Sequence, residues 1–161
     1  MKDYTTDREN SMSEEFDGNV VTLTVYGEPV SKLRPRTVRN GKSVRTYTPH
    51  KTAEHEAKIG WVYKKIYGGF RFERDVPLFV SVKFYMKVPK STSKKARQGM
   101  LSGKIRPAKK PDLDNVVKLV TDSLNGIAYD DDSQIVEISG GKYYSDDPRT
   151  EIIIARVEDD E

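Results

Sequence analysis

Six aspartates, Asp112, Asp114, Asp122, Asp130, Asp131 and Asp132, fall within twenty-one residues of a chain whose formal net charge is +3. They form two groups. The first opens with "KPDLDN" and continues at four-residue steps through Asp114, Lys118 and Asp122. The second is "AYDDDSQ". A D-x-D pair suits a hard cation with oxygen ligands, such as Mg²⁺. Two carboxylates about 4 Å apart repel by about 4 kcal/mol at an effective dielectric of 20, and a divalent ion removes that cost. If residue 112 is still extended and residue 114 already helical, both carboxylates can face one point. One of Asp130 to Asp132 completes a three-carboxylate site if the chain returns antiparallel to the helix.

Plainer roles stay open for the same residues. Asp112 can be a helix N-cap and Asp114 a partner of the helix dipole. Asp114 and Lys118 can be an i,i+4 ion pair contributing about 0.3–0.5 kcal/mol. Three aspartates before a strand often form a solvated turn. Neither group has the alternating oxygen ligands and closing glutamate of a calcium-binding EF-hand loop.

Other chemistries have less support. The chain has no cysteine, which excludes disulfides and thiolate zinc sites. His50 and His55 are five apart and do not share a helix face. No glycine-rich loop has phosphate-cradle spacing, and no Ser-His-Asp set is suggested. Tyr47, Trp61, Tyr63, Tyr143 and Tyr144 are candidates either for base stacking or for the core.

The charges are segregated. Residues 29–53 hold seven Lys or Arg and no acid, and residues 76–111 hold ten and again no acid. Basic blocks of this length point to a polyanion such as nucleic acid, or to a solvated segment.

These residues need elements to position them. "VVTLTVYG" and "VPLFVSVKFYMKV" alternate and predict strands, the second of them central. Asn40-Gly41 predicts a basic hairpin with those two residues as its turn. Thr48 to about Tyr67 predicts a helix ended by Gly68-Gly69. Asp112 to Asn125 predicts another, with Leu113, Val116, Val117, Val120 and Leu124 as its apolar stripe and Asp114, Lys118 and Asp122 on one flank beside it. "QIVEISGGKYY" and "RTEIIIARVE" predict two strands joined by an "SDDP" turn. Residues 1–18 read as a disordered acidic tail, and residues 88–110 as a basic mobile loop in which Ser93 could cap a short helix. The expected whole is one domain over residues 19–158: an α/β fold of the α+β type, a mixed β-sheet with two main helices packed on it. No apolar run is long enough for a membrane span. With no cysteine and no secretory signal, the cytoplasm is the expected location.

Taken together, "KPDLDNVVKLVTDSLNG", "AYDDDSQIVE" and "GGKYYSDDPRTEI" resemble the RusA family of Holliday-junction resolvases. "YGEPVSKLRPR" and "YTPHKTAEHE" resemble that family's N-terminal half, so the likeness runs from about Val20 to Val157. The resemblance implies a small homodimeric endodeoxyribonuclease that uses Mg²⁺, or Mn²⁺ in its place, and no small-molecule cofactor. It would cut four-way branched DNA by paired nicks. It puts Asp112, Asp114, Lys118 and Asp132 in catalytic positions, with Asp112, Asp114, Asp132 and its neighbour Asp131 as candidate metal ligands. Asp130 is an additional acid, which leaves open which of the three binds metal. Asn115 and Asp122 also fit the motif. Candidates for DNA phosphate contacts are Lys32, Arg34, Arg36, Arg39, Lys94, Lys95, Arg97, Lys104, Arg106, Lys109, Lys110 and Lys142. The rival readings are a metal nuclease of other DNA-structure specificity and a DNA-binding module without catalysis.

Overall fold

Strand β1, Val20–Tyr26, buries every second side chain: Val21, Leu23 and Val25 are inside and the residues between them are not. The same period of two runs through β4, Leu78–Lys87, and β6, Arg149–Arg156. In this computed structural model, which describes residues 16–157, these strands join β5, Ile135–Ser145, in a four-stranded sheet of order β1-β6-β4-β5. β4 pairs antiparallel with β6 and parallel with β5, so the sheet is mixed and β4 is interior. The fold is α+β, as expected.

The expected turn between β5 and β6 is present as a bend, but the strands it joins are not neighbours. β4 lies between them, so the turn crosses the end of β4.

Two long helices cover one face of the sheet. Helix α1, His50–Tyr67, packs on β1 and on α3, Leu113–Ser123, which also lies against β5. Ile59 and Tyr63 of α1 meet Val116, Leu119 and Val120 of α3 over Val80, Val82, Ile152 and Ile154 of the sheet. Each such buried side chain contributes about 1.5–3 kcal/mol of transfer free energy. Leu119, absent from the predicted stripe, is fully buried because α3 is covered by both α1 and the sheet. Glycine at 140 lets α3 approach β5. A Cβ there would stand 3.3 Å from Val117 Cγ2 and 3.6 Å from Leu113 Cδ1.

The segment expected as a basic loop contains a third helix, α2, Lys94–Leu101, and Ser93 caps it by accepting the Ala96 N–H at 3.3 Å. Packing also begins earlier than expected. Phe16 stacks edge-on against Phe70 with ring centroids 4.8 Å apart. Residues 1–15 of the predicted acidic tail lie outside the described residues.

The basic hairpin consists of β2, Arg36–Asn40, and β3, Ser43–Tyr47, which form their own two-stranded sheet. Asn40 pairs with Ser43, so the turn residues are Gly41 and Lys42, one position later than predicted. Gly41 has φ +60° and Lys42 has no positive φ. Glycine first is the pattern of a type II′ turn, whereas Asn-Gly would have given type I′. All ten strand residues of the hairpin are exposed.

Candidate active site

The segment entering α3 is held from β5. Lys142 Nζ donates to Lys109 O at 2.6 Å and to Pro111 O at 2.9 Å. Asp112 follows, extended at φ −67° and ψ 138°, in the N-cap position. Its backbone oxygen accepts the Val116 N–H, but its side chain makes no capping bond. The carboxylate that a cap would occupy is therefore free. Asp114 stands in the first turn of α3, exposed, where the helix dipole favours a negative charge.

Asp114 and Lys118 do not form the ion pair their spacing allowed. Lys118 Nζ instead lies 3.5 Å from Asp122 Oδ1, one turn onward. Asp122 also takes Lys32 Nζ at 3.0 Å, and Lys32 reaches Glu56 at 2.5 Å. Partial burial pulls the Lys32 pKa down, but Glu56 and Asp122 together hold it above its ordinary value. The Lys32 N–H donates to Asn115 O at 2.9 Å, which fastens the root of the hairpin to α3.

The second acidic group sorts itself by partner. Asp130 is paired with Arg74 Nη2 at 2.8 Å and Arg71 Nη1 at 3.4 Å. Asp131 accepts the Ser133 N–H at 2.9 Å and caps a 3₁₀ turn over Asp132–Gln134; the Ser133 hydroxyl first, and then this N–H, hold its pKa below the usual carboxylate value. The Asp132 carboxylate makes no hydrogen bond or ion pair among the described residues, and neither does that of Asp112 or Asp114. Buried Gln134 clips the turn in place: its Oε1 accepts the Asp130 N–H at 3.0 Å, and its Nε2 donates to Glu73 O at 2.8 Å and Val76 O at 3.2 Å.

The turn lies beside the far half of α3. Buried Tyr129 donates to Thr121 O at 2.6 Å, and burial, reinforced by the charges of Asp132, Asp122 and Asp131, pushes its phenol pKa well up. From there β5 runs back along α3, because Gly140 faces Val117 and Leu113. This is the antiparallel return that a three-carboxylate site requires. Among the described residues, however, no three acidic or histidine side chains stand close enough together to hold a metal ion. Asp112 and Asp114 sit at the start of α3, and the turn sits about two helical turns along it, where the ~1.5 Å rise per residue applies. The unpartnered carboxylates are the right donors for a hard cation, and in the chain alone they do not form a closed group.

The candidate phosphate contacts divide in two. Lys32 and Lys142 are committed within the fold as above. Arg97 pairs with Asp146. Arg106 Nε donates to Lys142 O at 2.5 Å, and its guanidinium lies 3.6 Å from the Tyr143 ring centroid. Arg34, Arg36, Arg39, Lys94, Lys95, Lys104, Lys109 and Lys110 are exposed and have no side-chain partner among the described residues. Lys42 and Arg45, which entered the sequence analysis only as part of a basic block, are equally exposed on the hairpin. Arg71 and Arg74 gave no sequence signal, since their partner lies far off in the chain, and Gln134 was visible only as the last residue of "AYDDDSQ". Of the aromatics, Tyr63 and Tyr144 are core, and Tyr143 stacks on Tyr85 with centroids 5.5 Å apart.

The family model for endodeoxyribonuclease RusA matches residues 26–155. The chain belongs to the RusA family. "Uncharacterized protein YqaN" of Bacillus subtilis (strain 168) is 41% identical over 142 residues, covering 85% of this chain and 96% of that protein. At the level of the family, this is a RusA-type endodeoxyribonuclease, and the RusA family resolves Holliday junctions. Among the described residues no helix is long and apolar enough to cross a membrane.

Proposed function

We propose that this RusA-family chain is a Mg²⁺-dependent endonuclease that nicks four-way DNA junctions in pairs, as a homodimer. The observation that carries this reading is the partition of the aspartates. The three in catalytic positions, Asp112, Asp114 and Asp132, have free carboxylates, while Asp122, Asp130 and Asp131 are occupied. Asp112, Asp114 and Asp132 would hold the ion, with Asp131 next to them. When bound, Mg²⁺ or Mn²⁺ lowers the pKa of a coordinated water and neutralises charge on the scissile phosphate.

The chain's own residues do the rest. Lys118, 62% exposed and only loosely paired with Asp122, is free to move onto a phosphate oxygen and stabilise developing charge there. The exposed lysines and arginines bind the backbone by releasing counterions. Two sites related by a two-fold axis nick two strands symmetrically, which is why a homodimer suits a branched substrate.

The deciding assay compares a synthetic four-way junction with a linear duplex, in Mg²⁺, in Mn²⁺ and in EDTA. The reading expects metal-dependent nicks of the junction on opposed strands. Equal cutting of linear duplex replaces it with a nuclease of other specificity, and no cutting with any metal leaves a DNA-binding module.

A further inference from the structure

Lys142 was expected at DNA. Its ammonium instead binds two backbone carbonyls on either side of Lys110, directly before Asp112. On β5 it pairs with Phe84 in the parallel register, two residues after Gly140, whose α-carbon faces Leu113 and Val117 at the start of α3. The side chain therefore reaches from the helix-covered face of the sheet to the entrance of α3. Behind it, Arg106 Nε donates to the Lys142 carbonyl while stacking on Tyr143. The Ala108 N–H in turn donates to Arg106 O at 2.9 Å. Residues 106–111 are thus tied to β5 at two points, one through the side chain and one through the backbone of the same residue.

We infer that Lys142 is a positioning residue: by holding the carbonyls of Lys109 and Pro111 it fixes where Asp112 enters α3 and presents its carboxylate. An ammonium suits this task, since it carries three donors and no acceptor and can serve two carbonyls at once. Partners outside the ligand shell that orient a ligand typically change metal affinity or activity 10–100-fold when removed. The inference rests on the proposed metal nuclease, but it also specifies a property of the free chain.

The test uses full-length protein with Lys142→Met, which keeps the stem and loses the donors, and Lys142→Gln, which keeps a neutral donor. Junction affinity is measured in EDTA over a salt series, and cleavage over a Mg²⁺ series. For Lys142→Met the expected result is unchanged affinity and salt slope, turnover of bound junction down about 10–100-fold, and a higher Mg²⁺ requirement. Lys142→Gln should recover much of that loss. Separately, amide exchange at Val116, bonded to Asp112 O, should quicken in Lys142→Met. A salt slope smaller by about 0.9, the value of one neutralised phosphate, with turnover of bound junction and amide exchange as in the parent, overturns the inference and places Lys142 on a phosphate. If the parent itself does not cut, the nuclease reading fails, and the exchange measurement still decides the role of Lys142.

Discussion

Arg74 Nη2 lies 2.8 Å from Asp130 Oδ2, and Arg71 approaches the other oxygen of the same carboxylate. That pairing separates Asp130 from Asp132, two acids that residue type alone leaves equivalent. Asp130→Asn should leave junction cleavage within a few-fold of the parent and cost about 0.5–1 kcal/mol of stability, because the pair is largely exposed. Asp132→Asn should leave thermal unfolding unchanged and lower turnover by about 100-fold or more. Side-by-side melting and cleavage assays check both.

Asp114→Asn removes a free carboxylate from the first turn of α3. Cleavage should be abolished, while junction binding in EDTA is retained or tightened, since a charge repelling phosphate is gone. Since the carboxylates are not grouped in the chain alone, Mg²⁺ should bind the free protein weakly and more tightly once junction is present. Titration calorimetry with and without DNA measures this, and cleavage by Asp114→Asn at the parent rate would remove the metal assignment.

Lys118→Ala should lower turnover by roughly 100-fold with the fold intact, the scale on which a single charge-stabilising donor acts. Its ion pair with Asp122 is exposed on the lysine side and contributes little to stability. Lys32 still neutralises Asp122 in the variant. Single-turnover cleavage of pre-bound junction separates this from weaker binding.

Arg36, Arg39 and Arg45 rise from a hairpin in which every strand residue is exposed. Replacing all three with Gln should reduce the slope of log affinity against log salt by about 0.9 for each phosphate that these arginines neutralise. Turnover of junction already bound should change little. An unaltered slope would place the DNA elsewhere.

His55 supplies a pH dependence. Burial, with Lys58 and Lys51 nearby, lowers its pKa from 6.5 to about 4. Above pH 6.5 both the folded and unfolded forms are neutral and its contribution to stability is complete. As pH falls toward about 4 the unfolded chain gains a proton that the folded chain refuses, and stability declines. With the side chain only half-buried, the loss is on the order of 1–2 kcal/mol. His55→Gln should flatten the denaturation midpoint across that window.

Periodicity was enough to read β1, β4, α1 and α3, because each buries one face and a buried face imprints its period on the side chains. It was not enough for Leu119, buried on a second side of α3, nor for the hairpin register, where Asn40-Gly41 and Gly41-Lys42 are both acceptable turns. Strand order was also illegible, since nothing in "SDDP" says that β4 will lie between the strands it joins.

The sequence by itself determined which side chains are candidates for the chemistry: the D-x-D pair, Lys118, the acid before Ser-Gln, and two basic blocks. Residue types and short spacings set donor chemistry and charge, and both are local. Only the tertiary structure decided which of those groups are at liberty. Arg71 and Arg74 reach Asp130 from more than fifty residues away, and Lys142 reaches the carbonyls before Asp112 from a strand thirty residues on. Whether a carboxylate or an ammonium is free for substrate depends on what folds against it, and those partners come together only through long-range packing.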